Sequence, residues 1–70
     1  NMKNLRDQLV KTSIHYLQGQ AEKHRMNIEL ILSNPVAVSE HPDIMETLEG
    51  ELGKMAEYHD KIEMMQKYFK

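Results

Sequence analysis

The stretch Val10–Ile31, VKTSIHYLQGQAEKHRMNIELI, decides the fold. Val10, Ile14, Leu17, Ala21, His24, Ile28 and Ile31 recur at spacings that alternate four and three, which on a helix stacks them into one seam facing a second helix. The flanking sequence is rich in Leu, Gln, Lys, Arg, Glu and Met and free of proline, so the first helix is expected over about residues 3–32. Thr12 and Ser13 favour other conformations, and Gly19 costs about 1 kcal/mol relative to alanine inside a helix. A bend near Gly19 is the expected consequence.

Ser33, Asn34 and Pro35 stop this helix. Proline disfavours the helical conformation in the residue before it, and asparagine tolerates the left-handed geometry that often ends a helix. The link, residues 33–41, carries Val36, Ala37 and Val38, apolar enough to fold over the end of a helix pair as a plug. The second helix is expected over about residues 42–69. Pro42 suits its first position, Asp43 and Glu46 suit the positive end of the helix dipole, and Lys67 and Lys70 suit the other end. Its seam reads Met45, Leu48, Leu52, Met55, His59, Ile62, Gln66 and Phe69. Ile44, Tyr58 and Met65 widen that stripe along one flank.

Two long helices joined by so short a link must lie antiparallel to cover each other's seams. Facing residue numbers should then total about 75 or 76, which sets Ala21 against Met55 and Ile14 against Ile62. The chain therefore reads as all-α, a single helical-hairpin domain over residues 1–70. Asn1 ahead of Met2 reads as an addition before the natural start.

The first helix carries a second line: Met2, Leu5, Leu9, Thr12, Tyr16, Gly19, Lys23, Met26 and Leu30, again spaced three and four. At about 100° per residue it lies nearly opposite the first line, so one partner helix cannot cover both. Single exposed Leu or Met residues need no explanation, but a helix apolar on two sides is normally buried on two sides. The expectation is a homo-oligomer through Met2, Leu5, Leu9, Thr12, Tyr16, Gly19, Met26 and Leu30, most simply a dimer of hairpins forming a four-helix bundle. The open end gathers Lys3, Arg6, Lys61, Lys67 and Lys70, and the link end gathers Glu29, Glu40, Asp43, Glu46, Glu49 and Glu51. Antiparallel association of the hairpins would set opposite charges together.

Composition narrows the function classes. A chain of 70 residues with no cysteine has no disulfides or thiolate metal sites to reinforce a small core. The net charge of −2 argues against a general nucleic-acid or anionic-membrane binder. No apolar run approaches membrane-spanning length, and no signal-peptide pattern opens the chain. Nucleic acid stays open only by analogy with dimeric hairpins that bind RNA along one bundle face. No nucleophile, base and orienting group stand at a recognisable spacing, and no glycine-rich phosphate loop occurs. The expectation is a non-enzyme without a cofactor.

Histidine and carboxylate are the remaining metal donors. His59 and Glu63, one helical turn apart, form the candidate half-site of a metal- or ligand-binding bundle, with His41 and Asp43 behind them. The Glu-x-x-His pairs of di-metal bundles are missing, since Ala56 stands where His59 needs its glutamate. His24 and His59 read as hydrogen-bonded core or boundary histidines. A buried, neutral His59 would make the oligomer loosen in acid. Gly50 and Gly53 read as tolerated on the outer face of the second helix, and Met64, Met65, Tyr68 and Phe69 as core at its end.

The segments HRMNIELILSNP, EHPDIMETLEGEL and KMAEYHDKIEMMQKYF, within His24 to Phe69, resemble small uncharacterised helical-hairpin proteins of tailed phages infecting marine cyanobacteria. That resemblance implies a context, the host cytoplasm, and partners among host or phage proteins. It implies no functional residue. The function expected from the chain as a whole is that of a cytoplasmic, self-associating interaction module.

Overall fold

The computed structural model describes residues 1–34 and 43–70 and is an all-α antiparallel hairpin. Helix α1 spans Met2–Ser33 and helix α2 spans Ile44–Tyr68. The hairpin is a rod of 55 × 16 × 13 Å.

Local chemistry explains the ends. Asn1, read from sequence as an addition, caps α1: its side-chain oxygen accepts from the Asn4 N–H at 3.0 Å, using one of the four N–H groups that a helix leaves unpaired. The helix runs unbroken through Thr12, Ser13 and Gly19. At its far end the Ser33 hydroxyl donates to the Glu29 carbonyl at 2.7 Å. Asn34 is extended, with φ −118° and ψ 96°, and not left-handed as its residue type suggests. The following Pro35 accounts for this, because its ring excludes compact conformations in the residue before it.

Asp43, expected inside the first turn of the second helix, is instead its cap. Its carboxylate accepts from the Glu46 N–H at 3.0 Å, and the Thr47 hydroxyl donates to its carbonyl at 3.3 Å. Glu46 stands in the first turn of α2 and Lys67 in the last, where the helix dipole favours each charge. The expected plug at Val36–Val38 and the roles given to Glu40, His41 and Pro42 lie outside the described residues.

The two helices meet at the antiparallel register that symmetry about the link requires. The Arg6 guanidinium donates to the main-chain oxygens of Phe69 and Lys70, both at 3.4 Å, and His24 lies against Glu51. Along α1 the seam is the expected one: Val10, Ile14, Leu17, Ala21, Ile28 and Ile31 are half-buried and His24 is buried.

Along α2 the seam differs. Leu48, Met55 and Ile62 are half-buried as expected, but Met45 is 70% and Leu52 50% exposed, and His59, Gln66 and Phe69 are exposed as well. Ile44, Glu51, Tyr58 and Met65 take their places. The helix is turned by roughly 50° from the face read in the sequence, at about 100° per residue. Both faces carry apolar residues at helical spacing, so burial alone hardly separates them. The polar groups of α1 decide: His24 and Asn27 face α2, and only the observed rotation gives them an acceptor in Glu51.

No apolar side chain among the described residues is fully buried, and His24, 9% exposed, is the most enclosed residue. Among the described residues each helix packs against the other alone and encloses nothing beyond the shared seam.

Candidate functional site

Two features stand out against this frame, a polar cluster inside the seam and an uncovered apolar face on α1. The cluster centres on Glu51. One of its carboxylate oxygens accepts from His24 Nδ1–H at 2.7 Å and from the Asn27 amide at 3.1 Å. The carboxylate acceptor requires the proton on Nδ1 of the ring. These two bonds, His24 first and Asn27 second, hold the Glu51 carboxyl below the usual glutamate range, because both favour its charged form. The imidazole stacks on the Tyr58 ring, centroids 5.9 Å apart and planes 14° apart, and the Lys61 ammonium lies 5.1 Å over the same ring.

No buried side-chain nitrogen or oxygen among the described residues lacks a partner. The cluster is thus a hydrogen-bonded polar lock inside an apolar seam. The sequence contained the signal for it. The expected register, in which facing residue numbers total 75 or 76, sets residues 51 and 52 opposite residue 24, so the acceptor for a seam histidine was to be sought there.

The second feature is the line Met2, Leu5, Leu9, Thr12, Tyr16, Gly19, Lys23, Met26 and Leu30. All are exposed, Met2 at 84%, Tyr16 at 61% and Leu30 at 62%. Near the open end of the hairpin the line joins Met65 of α2 and the C-cap residue Phe69 around an apolar groove of about 350 Å³, walled by Met2, Leu5, Arg6, Leu9, Val10, Met65 and Phe69. A smaller groove on α2, about 290 Å³, is walled by Leu52, Met55, Ala56 and His59. The residues read as core at the end of the second helix divide: Met65 is half-buried, while Met64, Tyr68 and Phe69 are exposed.

The exposed His59 lacks the burial from which acid loosening was expected. It and Glu63 lie one turn apart on the outside of α2, and the described residues contain no group of three His, Asp or Glu side chains suited to a metal ion. No helix among them is long and apolar enough to cross a membrane. Surface charges pair locally, Arg25 with Glu22 and Lys61 with Glu57. Those cations hold the Glu22 and Glu57 carboxyls below their ordinary range.

Comparison with protein families, with characterised proteins and with solved structures finds no match to this chain.

Proposed function

We propose that this chain is a non-enzymatic interaction module that self-associates through the exposed line of α1, with an antiparallel dimer of hairpins as the simplest closed form. The observation that carries the reading is the combination of that line with the lack of a sealed interior among the described residues. The chain exposes 5627 Å², whereas a compact monomer of 8.2 kDa exposes about 4,500 Å². The surplus of about 1,100 Å² exceeds the roughly 800 Å² that each partner contributes to a stable interface. The radius of gyration, 16.2 Å, likewise exceeds the roughly 11 Å of a compact chain this long.

Charge supports the antiparallel arrangement. The open end, residues 1–11 and 60–70, holds six cations against three acids, and the link end, residues 22–34 and 43–51, holds six acids against two cations. Two hairpins packed head to tail set the basic end of one beside the acidic end of the other. Apolar burial supplies the affinity and charge selects the orientation. The resemblance to small phage proteins suggests a host or phage protein as a further partner and the host cytoplasm as the setting.

Sedimentation velocity at micromolar concentration tests the reading, with a dimer expected. Replacing Leu9 and Tyr16 together by glutamate should raise the dissociation constant at least a hundredfold while the isolated hairpin stays helical by circular dichroism. A native chain that sediments as a compact monomer, or a double variant that remains fully dimeric, refutes it.

A further inference from the structure

Gly19 has no explanation among the described residues of its own chain. It sits mid-helix without a left-handed backbone angle, and a Cβ built on it meets nothing within 4 Å, so the helix forgoes propensity there with no return from its own contacts. Gly50 and Gly53 are equally open but fall among acids on the outside of α2. Gly19 falls in the middle of the apolar line, beside the exposed ring of Tyr16.

An antiparallel pair of α1 helices keeps this line on itself only in registers seven residues apart, in which facing residue numbers total about 28, 35 or 42. At about 28, Leu5 faces Lys23 and Leu30 overhangs the partner. At about 42, Leu9 faces Ser33, Thr12 faces Leu30, and Leu5 overhangs. At about 35, Leu5 faces Leu30, Leu9 faces Met26, the polar Thr12 faces Lys23 and Tyr16 faces Gly19, so each leucine meets an apolar side chain and the largest side chain meets the residue with none.

We infer that two copies of this chain pair through α1 in that middle register, each Tyr16 ring seated on the other copy's Gly19. In the same pairing Leu30 of each copy enters the open-end groove walled by Leu5, Leu9 and Phe69. The inference rests on the self-association proposed above and adds its register and its contacts. Charge agrees, because the overlap brings the basic open end of each hairpin beside the acidic link end of the other. The area agrees as well, since the surplus surface exceeds one side of a standard interface.

Disulfide trapping tests the register in the full chain, which has no native cysteine. The Leu9→Cys/Met26→Cys double variant should oxidise to a covalent dimer. Leu9→Cys alone should not, because the two copies of residue 9 would stand about 25 Å apart along the axis. Leu9→Cys/Gly19→Cys and Leu9→Cys/Ser33→Cys, which report the two slipped registers, should also stay uncrosslinked. Gly19→Ala should weaken the native dimer at least tenfold while leaving its helix content equal or higher.

Trapping by Leu9→Cys alone or by either slipped pair overturns the register and leaves self-association standing. A native dimer that Leu9→Cys/Met26→Cys fails to trap, or whose affinity Gly19→Ala leaves unchanged, overturns the seating of Tyr16 on Gly19. A native chain that sediments as a monomer overturns both proposals.

Discussion

Replacing Glu51 by alanine should cost this hairpin about 2 kcal/mol, more than the typical point substitution. The removed carboxylate is the acceptor for His24 at 2.7 Å and Asn27 at 3.1 Å. The His24 side chain is 11% exposed, so its Nδ1–H would be left with little access to water. An unsatisfied buried donor costs about 1–3 kcal/mol, and the 24% exposure of the Glu51 side chain lets water recover part of that loss.

For a chain of this size each kcal/mol moves the melting temperature by roughly 4–8 °C, which gives a fall of roughly 8–16 °C. The assay is urea unfolding of the native chain, Glu51→Ala, His24→Ala and the double variant at pH 7 and one protein concentration, because association would otherwise shift the apparent stability. The double-mutant cycle should show a coupling of about 1–2 kcal/mol, within the range for residues in one buried hydrogen-bond network. Additivity within about 0.3 kcal/mol would mean that water serves His24 as well as Glu51 does. The polar lock, and with it the account of the rotation of α2, would then be refuted.

Other outcomes follow from the same coordinates. The Glu51 carboxyl is held below its ordinary value by His24 and Asn27, so its contribution is fully present above about pH 4.3 and is lost as the pH falls through the native value. Acid titration of the melting temperature should therefore drop more steeply for the native chain than for Glu51→Gln, and parallel curves would contradict it. Gly50→Ala and Gly53→Ala, each in open space within a helix, should each stabilise the hairpin by about 1 kcal/mol in thermal melts. Asp43→Ala, which deprives the Glu46 N–H of its acceptor, should cost about 1 kcal/mol by urea unfolding, with Asp43→Asn recovering most of it.

Much of this architecture was legible before any coordinates, because helix period, antiparallel register and chain stops are local or follow from symmetry. The α1 seam, from Val10 to Ile31, belongs to that class. The face of α2 does not. Met45 and Leu52 on one line and Ile44 and Tyr58 on another carry comparable apolar area, so the helix has two nearly equivalent ways to pack. The choice falls to His24 and Asn27 on the other helix, a long-range polar requirement that hydrophobic spacing cannot register. Asn34 failed for a different reason: its general left-handed preference gave way to the particular exclusion imposed by Pro35. The exposed line of α1 was readable from spacing alone. The vacancy over Gly19 needed the three-dimensional structure, since only it shows that nothing among the described residues fills it.

The lack of a sealed interior among the described residues bears on the chain's lifetime in a cell. Amides along α1 and α2 are shielded by a single neighbouring helix, so openings that admit a protease require little more than parting the two rods. If a second copy covers the α1 face as proposed, resistance to digestion rises with concentration, since whatever binds only the folded form stabilises it by mass action. Scarce chains would be cleared and abundant ones would persist, so assembly itself would set a threshold for the protein's accumulation.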